Sequence, residues 1–429
     1  PLPATPLRRS EKKRPPRPSA LIGKIAYGEH QDWMTDPGDL DGLLGWMNPK
    51  LNLNYGSRTV TINDSRLRTI PILYMTGHNH FQVERDWPVL MRRYLEDGGA
   101  MIAEACCGWP PFSESFQRIY PAIFPDKPLR RLPMDHPVYQ CYHAIEQVAM
   151  MENDENQIQA PELYGTEIGC RTALLFSKAD LSCGWDHHTH PEGKRYMPDD
   201  AMKLGMNMLV YMLVCRQYAE DYAAQDRVVN EDGDLLVGHL IHNGDWNPNP
   251  YAVGKLLSEF AAQCGSSLRI QSKPIRPAPD ELKQFPLIYI IGHHAFDFSD
   301  AARSALADYL RGGGLLLANN CCGREEFDQS FRREAAKILP EASLAPIALN
   351  EPLFQVPFPM DRVSYVMDRF APSRPPMEGV AWGNGYGVLY FKHGVENGWA
   401  GLEYPFGASL IREDSMKLGV NALVFAMTH

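Results

Sequence analysis

The chain has 429 residues, 44% of them hydrophobic, and a formal net charge of −10 from 42 Lys and Arg against 52 Asp and Glu. That length holds two or three domains with substantial cores; the acidic balance argues against broad nucleic-acid binding, and no apolar run reaches membrane-spanning length. Nine cysteines, an odd number with four of them in two vicinal pairs, point to reduced thiols or a site rather than to a disulfide framework.

Residues 1–20 carry Arg8, Arg9, Lys12, Lys13, Arg14 and Arg17 among prolines. This reads as a solvated basic tail or linker, with an arm that docks on an acidic partner or an anionic surface as the sharper alternative. The chain begins at Pro1, so an export signal removed beforehand would leave no trace. The thiol-rich composition suits the cytoplasm, and both compartments stay open.

A first domain, residues 21–219, opens with a strand from Leu21 to Tyr27 and the polar loop Gly28-Glu29-His30-Gln31-Asp32-Trp33. Leu40, Leu43, Leu44 and Met47 have helical spacing. A short strand is expected at Thr59 to Ile62, and a fully covered one at Ile72 to Met75, which runs into Gly77-His78. The next helix carries Trp87, Leu90, Met91, Tyr94 and Leu95 on one face, and Gly98-Gly99 stops it. Met101 to Ala103 form another strand, and Cys106-Cys107-Gly108 turns it into a helix beginning near Ser113. Residues 146–160 look like a polar excursion. A late strand, Thr172 to Ser177, leads through Gly184-Trp185 to a closing helix around Asp200 to Val210. Lys203 and Asn207, one turn apart on it, are placed to bind a neighbouring loop.

After a polar linker at 220–234, the pattern recurs in a second domain, 235–429. Pro71 and Pro286, His78 and His293, and Cys106 and Cys321 are each 215 residues apart, and seven of the 13 residues from Cys106 to Arg118 recur at Cys321 to Arg333. Asp245-Trp246 repeats Asp32-Trp33, and Asp414 to Val424 repeats the closing helix with Lys417 and Asn421. Strands are expected at Leu235 to His242, Leu268 to Ile270, Leu287 to Ile291, Leu315 to Ala318 and Gly387 to Phe391, with a helix from near Glu326 and an excursion at 365–378. Periodicity alone does not repeat residue identity, so the chain is an internal duplication. Two tandem α/β domains follow, each a mainly parallel sheet flanked by helices, packed through a pseudo-twofold axis or side by side.

The stretch Arg171 to Trp185, the Gly-Asp-Trp-type loop, the Gly-Gly strand and the closing Lys-Leu-Gly-x-Asn helix resemble the bacterial domain of unknown function 4159, once in each copy. The resemblance implies a flavodoxin-like, class I glutamine amidotransferase-like fold and no settled activity. The second copy departs from it, with Gly394 in the place of Asp180 and Asn350-Glu351-Pro352 in that of Asp135-His136-Pro137.

In open parallel sheets ligands sit at the carboxyl ends of the strands, where the glycine-histidine and cysteine-cysteine turns fall. A thiol at a helix start has its thiolate stabilised, so Cys106 and Cys321, with His78 and His293, are candidate nucleophile and base. The alternative for the cysteines is inert packing under a tight turn. The His-x-Glu expected of an amidotransferase is missing from the matching region of both copies. Asp32, Trp33, Cys107, Asp245, Trp246 and Cys322 line the same edge as candidate binding residues. His187, His188 and His190 form the densest metal-like group, in a loop that the second copy lacks. The leading expectation is a non-catalytic binding or assembly module with protein partners, no required cofactor and homo-oligomerisation allowed. The alternatives are a cysteine-dependent hydrolase or amidotransferase-like enzyme centred on Cys106, and a metal-binding protein.

Overall fold

The computed structural model describes residues 19–28, 31–188, 192–225, 234–263, 270–383 and 385–428. The basic tail through Pro18, His30, His190, Cys264 and most of the expected linker lie outside the described residues.

In the first copy the chain runs β1 (Ser19–Ile25), α1 (Asp39–Leu51), β2 (Tyr55–Val60), β3 (Ile72–Gly77), α2 (Trp87–Glu96), β4 (Ala100–Ala105), α3 (Pro110–Ile123) and β5 (Arg130–Arg131). It continues with β6 (Val148–Glu152), β7 (Glu155–Gln159), β8 (Tyr164–Ile168), β9 (Arg171–Ser177), α4 (Ser182–Trp185), β10 (Lys194–Tyr196), α5 (Pro198–Val214) and α6 (Arg216–Ala223). The second copy runs β11 (Asp234–Leu240), α7 (Ala252–Gln263), β12 (Ile270–Ile275), α8 (Pro279–Leu282), β13 (Leu287–Gly292), α9 (Asp300–Arg311), β14 (Leu315–Asn320) and α10 (Glu325–Ile338). It ends with β15 (Ala345–Pro346), β16 (Met377–Trp382), β17 (Gly385–Phe391), α11 (Glu396–Ala400) and α12 (Arg412–Thr428).

The two large sheets have the same order, β2-β1-β3-β4-β9-β8-β5 and β12-β11-β13-β14-β17-β16-β15. The first five strands of each are parallel, and the last two are antiparallel additions. Counting the fifth strand in chain order, this is the flavodoxin-like sequence 2-1-3-4-5. The central strands are covered on both faces, which is why they read as continuous apolar runs. Leu73, Met75, Met101 and Ala103 pack with Met91 of α2 and Phe116 of α3. Ile72, Tyr74 and Ile102 face the other way, onto Leu43 of α1 and Leu209 of α5. The second copy repeats these layers, and the α1/α5 core is continuous with the α7/α12 core of its neighbour.

The double glycines after α2 and α9 divide two tasks. Gly98 and Gly313 adopt φ of 102° and 94°, the left-handed stop. Gly99 and Gly314 lie under the rings of Tyr94 and Tyr309, where a Cβ would meet ring carbon at 2.3 and 2.2 Å. The structure differs from expectation in details. Pro110 and Pro111 start α3 three residues before Ser113, since proline suits the first helical turn. The first short strand is Tyr55–Val60 rather than Thr59 to Ile62. The 146–160 excursion is a β-hairpin that pairs with β10 as a small separate sheet. In 365–378 the described pairing before β16 is confined to isolated bridges at Tyr365 and Ser373.

The copies pack head to tail. Cys170 precedes β9, at the amino end of the first sheet, and touches Cys321 at the carboxyl end of the second, with sulfurs 3.4 Å apart. The carboxyl end of the first sheet lies roughly 20 Å away, at about 3.3 Å per residue along β9. The contacts printed between the copies join this amino-end side of the first, at Glu167, Cys170 and Tyr218, to the carboxyl-end side of the second, at His293, Cys321 and Asn397, a head-to-tail relation rather than the reciprocal one of a twofold axis. Tyr211 meets Tyr404 and Phe406, and Tyr222 donates to the Pro248 carbonyl. A cleft of about 680 Å³ runs between the copies, lined by Arg130, Glu167, Asp245, His293, Arg324 and Glu326 among others.

Candidate functional site

Each strand-to-helix corner is one tight turn with a strained cysteine at its apex. Cys107 and Cys322 have φ of 58° and 59°, a left-handed conformation that non-glycine residues adopt at a cost of about 1–3 kcal/mol. The segment before the closing helix crosses directly over this turn. Gly193 (φ 86°) and Gly407 (φ 84°) pass so close that a Cβ would meet the Cys107 or Cys322 carbonyl oxygen at 2.0 or 2.5 Å. The corner is thereby clamped with its thiols turned toward the strand ends.

In the first centre the sulfurs of Cys106, Cys107 and Cys183 and a carboxylate oxygen of Asp180 lie within 4.8 Å of one another. His78 Nε2 is 3.2 Å from Cys107 Sγ. Asp32 Oδ2 accepts the backbone N–H groups of His78 and Asn79, both at 2.8 Å, which fixes the Gly-His turn. The Asp32 carboxylate stands 3.8 Å from His78 Nδ1. Asp36 accepts from Cys106 Sγ at 3.2 Å and Cys183 Sγ at 3.6 Å and lies 3.1 Å from His188 Nδ1. Hydrogen bonds from Cys106 and then Cys183 pull the Cys107 thiol down to about 5, while the same contact pushes Cys106 up to about 12. Beneath the turn Glu104 is wholly buried, bonded by Tyr74, Thr76 and the Leu181 N–H. Burial, then Asp180, hold Glu104 well above the carboxylate range.

In the second centre Cys170, Cys321, Cys322 and His293 converge within 4.8 Å, all at most 2% exposed. His293 Nδ1 is bound by Asp245 Oδ2 at 2.6 Å, and its buried Nε2 has no hydrogen-bond partner among the described residues. Asp245 Oδ1 accepts the N–H groups of His293 and His294 at 2.9 and 3.0 Å. Burial opposes charge at both groups. Even so, hydrogen bonds from Cys170 and Cys321 and the charge of His293 keep the Cys322 thiol well below its ordinary value, and Asp245 keeps His293 well above its own. Asn397 occupies the place that Cys183 has in the first copy, with Nδ2 3.1 Å from Cys170 Sγ and 3.6 Å from Cys322 Sγ. Glu396 Oε2 is 3.6 Å from Cys321 Sγ.

The family model described as "Domain of unknown function (DUF4159)" matches residues 21–213 and again 236–427. This chain belongs to that family, in two tandem copies. No curated protein matches it. Both DUF4159 copies thus place their paired cysteines and strand-end histidine at one corner, and in both the aspartate of the Asp-Trp pair orients that histidine's turn. Trp33 and Trp246 are half-buried beside it. His188 reaches the first centre only through Asp36, and His187, exposed at φ 56°, stands apart from it.

Cys183, Cys170, Asp36, Glu104 and Glu396 belong to the two centres but were not among the residues singled out from sequence, and Asp180 stood out there only as a position at which the second copy departs. One signal was present: aligning the DUF4159 copies at an offset of 214 sets Cys183 against Asn397 and leaves Cys170 as a thiol with Asn384 opposite it.

Proposed function

We propose that this DUF4159 pair is a non-catalytic metal-binding module with two thiolate-rich centres for a zinc-class ion. One observation carries the reading. Both copies gather three sulfurs and one imidazole nitrogen, although the third sulfur comes from non-equivalent positions, Cys183 and Cys170. Packing of inert thiols gives no reason for the number to be restored by a different residue. Tetrahedral zinc with bonds of about 2.3 Å to sulfur needs sulfurs about 3.8 Å apart. Cys106 and Cys107 are 3.9 Å apart, Cys321 and Cys322 3.7 Å, and Cys170 and Cys321 3.4 Å. Asp245, His293 and the sulfurs form the carboxylate–histidine–metal line that fixes the ligating nitrogen. The first centre also gathers the buried acids Asp36 and Asp180 around its thiols, a concentration of negative charge that a cation would neutralise. The test is elemental analysis of the full chain isolated under reducing conditions without chelator. One zinc-class ion per centre is expected, with cobalt substitution producing thiolate charge-transfer absorption. A folded chain that takes up neither metal overturns the proposal.

A cysteine-nucleophile reading is favoured by the line Cys107–His78–Asp32, and it centres on Cys107 rather than Cys106. Cys107, at 9% exposed, is the least buried cysteine of the two centres. Alkylation separates the two. Metal-loaded protein whose Cys107 resists iodoacetamide until chelation fits the metal reading, and rapid alkylation regardless of metal fits the nucleophile.

A further inference from the structure

We propose that the second centre is a staple between the two copies: one zinc-class ion held by Cys170 of the first copy and by Cys321, Cys322 and His293 of the second. This rests on the metal reading above and adds that the ion is structural, fully enclosed, and coordinated across the domain boundary.

Three observations support it. First, the ligand set has been exchanged. Where the first copy supplies its own third sulfur from Cys183, the second has Asn397, whose carboxamide points Nδ2 at Cys170 and Cys322 and so donates to the sulfurs instead of joining them. The missing thiol arrives from 227 residues away, on the turn between β8 and β9 of the other copy. Second, that turn is built to hold it. The Cys170 N–H donates to Tyr218 Oη at 2.9 Å, and the same hydroxyl donates to Asn397 Oδ1 at 3.4 Å. Gly169, at φ 64°, lies against Tyr218, where a Cβ would meet the hydroxyl at 2.5 Å. Third, the set is closed. All four side chains are at most 2% exposed, and His293 brings a buried nitrogen that has no hydrogen-bond partner among the described residues. Four protein ligands without an open position are the mark of a structural rather than a catalytic site. The first centre differs, with Asp36 and Asp180 crowding its sulfurs and the exposed His188 at its edge.

Three variants of the full chain test this: Cys170→Ser, Asn397→Cys, and both together. The readouts are bound metal per chain, the cobalt thiolate spectrum and the dependence of the thermal midpoint on chelator. Cys170→Ser is expected to halve the bound metal and to lose the part of the chelator-sensitive stabilisation that belongs to the second centre. Adding Asn397→Cys is expected to restore the second ion, now held within one copy as Cys183 does in the other. Cys170→Ser that retains both ions overturns the staple while leaving the metal reading intact. A wild-type chain with no ion at either centre sinks the metal reading itself. Should the single variant fail to fold, the double variant decides: folded with two ions it supports the exchange, and folded with one it refutes it.

Discussion

The Asp245→Asn substitution probes the second centre through a single proton. Asp245 Oδ2 binds His293 Nδ1 at 2.6 Å, which leaves Nε2 as the nitrogen that gives up its proton when a metal binds. Asparagine can keep the two backbone bonds that Oδ1 makes to the N–H groups of His293 and His294, so the turn survives. Its amide NH₂ can only donate to Nδ1. The ring proton then moves to Nε2, and a protonated Nε2 cannot bind metal. Loss of such a partner lowers metal affinity by about 10–100-fold, or roughly 1.4–2.7 kcal/mol. Competition against a chromophoric chelator should show one of the two binding steps weakened by that factor. Asp32→Asn is the internal control: at 3.8 Å from His78 Nδ1 its carboxylate is too distant for a hydrogen bond, so the loss at the first centre should be smaller. Unchanged affinity in Asp245→Asn, or an equal loss in both variants, would refute the reasoning.

Two further outcomes follow from groups outside the thiol sets. His136 is buried, accepts the Val138 N–H at Nδ1 and contacts Thr172 Oγ1 through Nε2, and burial pulls it down to about 3 from an ordinary 6.5. The unfolded chain takes up a proton below pH 6.5 that the folded chain refuses, so this stability is complete above 6.5 and lost as pH falls toward 3. The loss reaches about 2 kcal/mol near pH 5, read from denaturant titrations, and His136→Gln should flatten the slope; an unchanged slope would show that another group sets it. Asn207 and Asn421 each clamp a loop with paired bonds, to His143 (2.8 and 2.8 Å) and to Phe358 (3.0 and 2.8 Å). Alanine at either position should cost about 2–3 kcal/mol in chemical unfolding, and a loss below about 0.5 kcal/mol would remove the clamp from the account.

Much of the architecture was legible because it is local. Strands covered on both faces announced themselves as apolar runs, as at Ile72 to Met75, and the glycine pairs marked where helices stop. His78 and His293 could be placed at the strand ends with the cysteines because a fixed offset ties strand, turn and helix together. The hairpin within 146–160 escaped because its second strand, Glu155–Gln159, is mostly exposed and polar, so no apolar alternation marks it. The His-rich loop stands out by its composition, yet of its described histidines only His188 comes near the thiols, and through a carboxylate at Asp36 that no spacing rule connects to it.

Taken alone, the sequence determined the duplication, the order of the parallel strands and main helices in each copy, membership in the DUF4159 family and the paired thiols at each corner. Those properties are written in neighbouring residues and in a repeated register. Only the tertiary structure decided that the copies stack end on end, and that Cys183 completes one cluster while Cys170 completes the other. That choice depends on which end of one sheet buries which end of the next. The energy of such packing is spread over two whole faces, so no short stretch of chain records it.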